Sequence, residues 1–214
     1  MKILGISQID SGCGFHRVSL PLGFMENIEG YVTNLPQQEV LDQKWDIILY
    51  NRFSPFDGKI EETRKNIGAK VVVDLDDHWI LPPNHINYYH YLSYRERLEG
   101  NIRDADLVTV TNELIAEKVY PLNKNVEVIP NGIPFGQFNF TQEREQSDKV
   151  RIFWCGSITH EPDISILRGP IRRLKNENIR MVMGGYNDSN ETSKKIWDRM
   201  ASVYTNAWQM DYLM

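Results

Sequence analysis

Asn125-Val126-Glu127-Val128-Ile129-Pro130-Asn131-Gly132-Ile133 runs a short apolar strand into a Pro-Asn-Gly segment with the chemistry of a tight turn. Downstream, Val150-Arg151-Ile152-Phe153-Trp154-Cys155-Gly156 opens a second alternation of strand and helix. The pair predicts a sharp turn at residues 130–132 acting as the hinge between two Rossmann-like halves. A cleft between two such halves is a usual place to bind a nucleotide-linked ligand.

Working back from that segment, apolar strands alternate with helix-length stretches. Strands are expected at 2–7, 31–35, 46–51 ("DIILYN"), 70–75 ("KVVVDL"), 106–111 ("DLVTVT") and 126–129. Helices are expected at 15–27, 58–67, 86–103 and 113–120. Near-continuous apolar strands separated by helices are what a buried parallel sheet requires, so the fold class is α/β with a Rossmann-like parallel sheet over residues 1–137. Right-handed crossovers put the loops 8–14, 51–57, 76–84 and 111–112 at the carboxyl edge, where such sheets bind ligands.

Residues 138–149 ("FNFTQEREQSDK") are polar and charged and read as a linker. The alternation then resumes, with strands at 150–155 and 179–183, helices at 163–175 and 191–200, and a third strand beginning within 201–208. Residues 150–214 are short for an open α/β domain, so the second half is expected to be an incomplete Rossmann-like domain. Its unpaired strand edge predicts a homodimer, or completion by another chain.

The 214 residues carry a net charge of −5, with 41% hydrophobic and 25% charged residues. That balance is ordinary for a soluble globular protein and gives no nucleic-acid footprint. The two cysteines, Cys13 and Cys155, form neither a metal spacing nor a disulfide framework, which fits reduced thiols in the cytoplasm. The first residues hold too short an apolar run for a signal peptide, and no stretch approaches the ~18 apolar residues of a membrane helix.

Four motifs carry chemistry. Gly12, Gly14, His16 and Arg17, in Ser11-Gly12-Cys13-Gly14-Phe15-His16-Arg17, follow the first strand. The glycines allow close backbone approach, and the following helix and basic groups suit an anion such as a diphosphate. The plainer account is a tight βα turn with a solvated arginine, and the stretch is not a dinucleotide fingerprint. Asp74-Leu75-Asp76-Asp77-His78-Trp79 clusters three carboxylates and an imidazole after a central strand. Asp76, Asp77 and His78 there point to hydroxyl recognition or acid/base chemistry, against a reading as helix caps and loop solvation. No second ligand cluster accompanies them, so no metal is expected. Tyr88, Tyr89, Tyr91 and Tyr94, with His85 and His90, form an aromatic stretch able to stack on sugars or nucleobases; packing explains it equally. Gly156, Ser157 and His160, in Gly156-Ser157-Ile158-Thr159-His160-Glu161-Pro162-Asp163, offer a glycine, hydroxyls and a helix start suited to phosphate oxygens, or simply a capped βα loop.

"DADLVTVTNELIAEKVYPLNKNVEVIPNGI" (Asp104–Ile133) resembles the end of the N-terminal domain in retaining glycosyltransferases of the GT-B fold, glycosyltransferase family four in particular. "RIFWCGSITHEPDISIL" (Arg151–Leu167) is similar to the opening of that family's C-terminal domain. "VVVDLDDHW" (Val71–Trp79) resembles the acidic motif of bacterial and phage-type members, and "GCGFHRVSLP" (Gly12–Pro21) their glycine loop. The resemblance implies a GT-B enzyme that moves a sugar from a nucleotide-diphosphate sugar to an acceptor with retention, without a cofactor or an obligatory metal. It places Gly12 and Gly14 near the donor phosphates or sugar. It sets Asp76, Asp77 and His78 along the acceptor side, and Ser157 near the donor diphosphate. The family's Arg and Lys-Gly after the second strand-ending glycine are replaced here by a loop with His160 and no lysine. Its Glu-x7-Glu motif would fall past Met214, so the chain is expected to be truncated. A sugar-nucleotide epimerase of the same architecture, or a non-catalytic sugar-binding or assembly module, remain the alternatives.

Overall fold

The computed structural model describes residues 1–7, 12–34, 38–52, 68–137, 146, 148–174, 177–185, 190–202 and 210–213. The predicted helix at 58–67, most of the linker at 138–149 and the loop residues 8–11 and 53–57 lie outside them. The chain divides into two compact units, Met1–Asn84 with Tyr88–Phe140, and His85–Asn87 with Thr141–Met214.

The first unit is a six-stranded, wholly parallel sheet. Its strands are β1 (Lys2–Ile6), β2 (Glu29–Thr33), β3 (Ile47–Asn51), β4 (Lys70–Leu75), β5 (Leu107–Val110) and β6 (Val126–Val128), in the order β2-β1-β3-β4-β5-β6. Strand alternation sorts the apolar residues onto two faces. On one, Leu4, Ile48, Tyr50, Val73, Leu75, Val108 and Val110 are essentially inaccessible. They pack against Leu98 and Ile102 of α3 (Tyr88–Asp104), Ile115, Ala116 and Val119 of α4 (Glu113–Val119), and Leu41 of α2 (Gln38–Leu41). Each fully buried aliphatic or aromatic side chain contributes about 1.5–3 kcal/mol, which makes this layer the main source of the unit's stability.

The other face holds a smaller cluster of Ile3, Val18 and Leu22. Val18 and Leu22 belong to α1, which is helical over Gly12–Gly14, widens into a π-helical turn over Phe15–Ser19 and continues as Leu20–Phe24. Gly5 makes this contact possible. A Cβ there would lie 2.7 Å from Leu22 Cδ1 and 2.8 Å from Val18 Cγ1, so even an alanine would force these two side chains out of their packed positions.

The topology follows from handedness. The connection from β1 to β2 runs one way across the sheet, and those from β2 onward run the other. Right-handed crossovers therefore put α1 on one face and α2, α3 and α4 on the other. The order reverses between β1 and β3, which makes their carboxyl ends the switch point of the sheet.

The second unit is a parallel three-stranded sheet, β7 (Val150–Cys155), β8 (Ile179–Gly184) and β9 (Met210–Leu213), in that order. Ile164, Ile171, Met181, Met183, Ile196, Trp197 and Met200 form its core. Both units are therefore Rossmann-like α/β, as the strand and helix alternation predicts.

Three expectations are corrected. Pro130-Asn131-Gly132 is not the sharp turn. Residues 129–134 are irregular, and the turn falls at Phe135 and Gly136, where Gln137 N–H donates to Pro134 O at 3.2 Å and Gly136 takes φ +76°. The helix predicted over 163–175 is a 3₁₀ turn, Ile158–His160, followed by α5 (Glu161–Ile166) and α6 (Arg168–Arg173). Pro170 has no N–H to continue the ladder, so the path breaks at Leu167. The third strand expected to begin within 201–208 falls mostly outside the described residues, and the described strand is β9, Met210–Leu213. α7 (Glu191–Ser202) runs further than predicted because Ser193, Ile196, Trp197, Met200 and Ala201 keep a helical period on its buried side.

Candidate functional site

Two charged assemblies lie at the carboxyl edge of the first sheet, and Asp74 and Asp76 divide them. Asp74 lies in β4, whereas Asp76 follows its last residue, Leu75, in a bend, and Asn51 Nδ2 bridges the two carboxylates, donating to Asp74 Oδ1 at 2.9 Å and to Asp76 Oδ1 at 3.2 Å. The acidic stretch that reads as one cluster in sequence serves two arginines, Arg17 at Asp74 and Arg52 at Asp76 and Asp77.

Asp74 is 2% exposed and faces α1. Arg17 meets it with Nε at 3.0 Å from Oδ1 and Nη2 at 2.7 Å from Oδ2, a bidentate pair. Thr109 Oγ1 donates to Asp74 Oδ2 at 2.7 Å and Asn51 Nδ2 to Oδ1 at 2.9 Å. Arg17 Nη1 reaches on to Ile129 O at 2.6 Å and Asn131 Oδ1 at 3.1 Å. The guanidinium thus ties the π-helical turn of α1 to the end of β4 and to the Pro-Asn-Gly segment after β6. Arg17 is only 6% exposed, and it is neither the solvated arginine nor an open anion contact expected from its place in the sequence.

The second assembly centres on Arg52, directly after β3, with a left-handed φ of +58°. A non-glycine residue holds that conformation at a cost, and here its side-chain contacts offset it. Nε and Nη2 grip Asp76 Oδ1 and Oδ2 at 2.5 and 2.6 Å. Nη2 also donates to Asp77 Oδ2 at 2.6 Å and to Cys13 Sγ at 3.2 Å, and Nη1 to the Tyr91 hydroxyl at 3.0 Å. The first turn of α1, the loops after β3 and β4 and the helix α3 thus converge on one guanidinium at the switch point of the sheet.

The electrostatics follow from this geometry. Burial pushes the Asp76 carboxyl up, but hydrogen bonding and attraction from Arg52 outweigh it and hold it at about 2. Burial, then the thiol's hydrogen bond to Asp76, push Cys13 up to about 11, so it is a neutral donor and not a nucleophile. Burial likewise raises the Tyr91 hydroxyl. Asp77 differs, because its side chain is 64% exposed and only Oδ2 is engaged by Arg52. It is the carboxylate of this site that remains open to a ligand.

His78 stands apart from Arg52. Its Nδ1 lies 2.9 Å from Ile80 O, and since a carbonyl only accepts, Nδ1 carries the proton. Nε2 is buried without a hydrogen-bond partner among the described residues. Gly12 is exposed and Gly14 buried, both already inside the first helical turn and not in the loop before it. His16 packs edge-on against Phe15 and lines a different cavity. That cavity, about 640 Å³, lies over the α1 face of the sheet between Ile47, Leu49, Val72 and the 129–137 segment. Its walls are mainly aliphatic, and its Arg17 and Asp74 neutralise each other, so it is a packing surface more than a reaction centre.

In the second unit, Gly156 follows β7 and its N–H donates to Gly184 O at 3.3 Å. Ser157 caps the 3₁₀ turn, its Oγ accepting from Thr159 N at 3.3 Å and lying 2.6 Å from Thr159 Oγ1. His160 Nδ1 lies 2.8 Å from Asp163 Oδ2, with the ring edge-on to Trp154. Gly156, Ser157 and His160 therefore come together at the end of one strand, as their spacing suggests. Among the described residues no group of three or more His, Cys, Asp or Glu is placed to hold a metal ion. No described helix is long and apolar enough to cross a membrane.

Sequence reasoning missed Arg52 and Asn51. Their one signal is position, since both stand where β3 meets the carboxyl edge, beside the recognised acidic loop.

No family model matches the chain, and no curated protein matches it in sequence. Solved structures do match it in fold. One is MnaA of S. aureus in a co-structure with UDP, 10% identical, with a TM-score of 0.56 over 99% of this chain and 68% of that one. Another is a glycosyltransferase from Rickettsia africae ESF-5, 14% identical, with a TM-score of 0.55 over 100% of this chain and 68% of that one. At these identities the likeness is one of fold, and it places the chain among Rossmann-like α/β proteins.

Proposed function

We propose that the chain is a glycosyltransferase of the GT-B kind, moving a sugar with retention from a nucleotide-diphosphate sugar to a carbohydrate or other hydroxyl acceptor. In this reading Asp77, with Asp76 and His78 beside it, faces the acceptor. Gly156, Ser157 and His160 face the donor diphosphate. The observation that carries it is the Arg52–Asp76–Asp77 assembly at the switch point. A carboxylate held at about 2 stays ionised at neutral pH and does not shuttle a proton, whereas a half-engaged Asp77 beside it suits hydroxyl recognition. An epimerase needs an acid and a base around one sugar, and this assembly offers neither at Asp76. Fold-likeness to a glycosyltransferase and to a UDP-bound protein supports the nucleotide-sugar side.

The test is calorimetric titration with UDP, GDP and ADP, followed by incubation with the corresponding diphosphate sugars and an acceptor panel. One nucleotide is expected to bind. Ser157→Ala and His160→Ala should each weaken it about fivefold to tenfold, and Asp77→Ala should leave it unchanged while abolishing transfer. Absence of binding by all three nucleotides would remove the reading.

A further inference from the structure

Beside Arg52 lies a pocket of about 160 Å³, between the loop that follows the acidic residues and the first two turns of α3. Trp79 forms its buried wall, Tyr88, Tyr91 and Leu92 line its helix side, and Arg95 stands at its rim. Tyr91 joins it to the acidic assembly, since its ring lines the pocket while its hydroxyl accepts from Arg52, which also holds Asp77. We infer that this pocket takes one pyranose ring of the glycosyl acceptor, laid against the aromatic side chains, with Asp77 and Arg95 reading its hydroxyls. This rests on the acceptor role assigned to the acidic loop above.

The chemistry selects that occupant. A pyranose has an apolar C–H face and a polar rim of hydroxyls. The pocket pairs tyrosine and tryptophan walls with a guanidinium at its edge and a carboxylate oxygen next door. Glu99 holds Arg95 at Nε, 2.8 Å away, and holds the Trp79 indole N–H at 3.3 Å. Rim and wall are therefore fixed by the same carboxylate before any ligand arrives, which lowers the cost of ordering on binding. A purely apolar ligand would desolvate Arg95 without compensation. The volume suits a single six-membered ring and excludes a second sugar.

The Trp79 indole N–H, assigned by Trp79→Phe, reports occupancy in a ¹H–¹⁵N spectrum. The titrants are the methyl glycosides of glucose, mannose, galactose and N-acetylglucosamine, with uridine and adenosine as competing classes and UDP as the donor-side control. At least one glycoside is expected to shift the Trp79 signal with millimolar affinity. Tyr91→Ala and Leu92→Asp should weaken it about fivefold to tenfold, and Tyr91→Phe, which keeps the ring, should retain it. Leu92 is 49% exposed, so its substitution tests the pocket without challenging the core. Failure of every glycoside while UDP binds would overturn this subsite and leave the transfer reading standing. A stronger response to nucleosides than to glycosides would also overturn it. Glycoside binding without nucleotide binding would sustain the subsite and remove the transfer reading.

Discussion

A left-handed arginine with its guanidinium engaged on every side is a costly feature, and Arg52 shows what it achieves. It brings residues 24, 25 and 39 positions distant onto one group. Removing it would strand Asp76, whose side chain is only 10% exposed, with Cys13 and Asn51 as remaining donors. Breaking a buried pair from one side costs about 3–5 kcal/mol, and partial exposure of Arg52 lowers this to about 2–4 kcal/mol for Arg52→Met. The pH dependence has a definite sign. The folded-state Asp76 carboxyl is depressed from 3.8 to about 2, so its contribution is present above the ordinary carboxylate range and is lost as pH falls toward 2. Urea midpoints at pH 7 should differ strongly between the unaltered chain and Arg52→Met, and the gap should narrow between pH 4 and pH 2. A gap independent of pH across that window would mean that Asp76 is not what Arg52 stabilises.

At the scale of elements, what was legible in the sequence was what local pattern controls. Val71, Val73 and Leu75 alternate in a β-branched run bounded by turn residues, and β4 forms where that pattern lies. Asn112 precedes an apolar period and caps α4, its Oδ1 accepting from Ile115 N at 3.1 Å. Contacts made by the folded sheet left no such trace. Arg17 meets Asp74 across 57 positions and Asn131 across 114, so only the strand order brings them together. Helix ends were missed where a buried side outlasted the expected boundary, as in α7, or where a proline cut the ladder, as at Pro170. The close approach of two loops in the second unit left no trace either. Gly185, at φ +94°, would place a Cβ 2.3 Å from Gly156 O, so the loops after β7 and β8 touch backbone to backbone. Gly185→Ala therefore combines a forbidden φ with a clash and should destabilise by at least about 2 kcal/mol. Gly169→Ala, in open space on α6, should be neutral or stabilising by up to about 1 kcal/mol. The thermal midpoint of Gly185→Ala should fall while that of Gly169→Ala holds or rises, and equal shifts would rule out the backbone contact.

At the scale of the whole molecule, the two sheets differ in how their edges are managed. In the first unit the outer strands β2 and β6 are short, five and three residues. In the second, β7 is six residues long and pairs only with β8 among the described residues, leaving its other side as a row of unpaired backbone groups. Val150 is 64% exposed and Phe153 58%, so apolar surface accompanies that edge. Long apolar edges recruit further strands unless charge, proline or a bulge blunts them, and Arg151 is the sole formal charge within β7. A twofold pairing of β7 with its copy would satisfy the edge and bury Phe153 at the same time. The expected outcome is a concentration-dependent shift in light scattering from the 25.0 kDa chain toward twice that mass. Phe153→Lys should return the protein to 25.0 kDa while leaving its unfolding free energy, measured at dilutions where the unaltered chain is monomeric, within about 0.5 kcal/mol of the original, since the side chain is exposed. A single 25.0 kDa species at every concentration would show that the edge is protected without self-pairing.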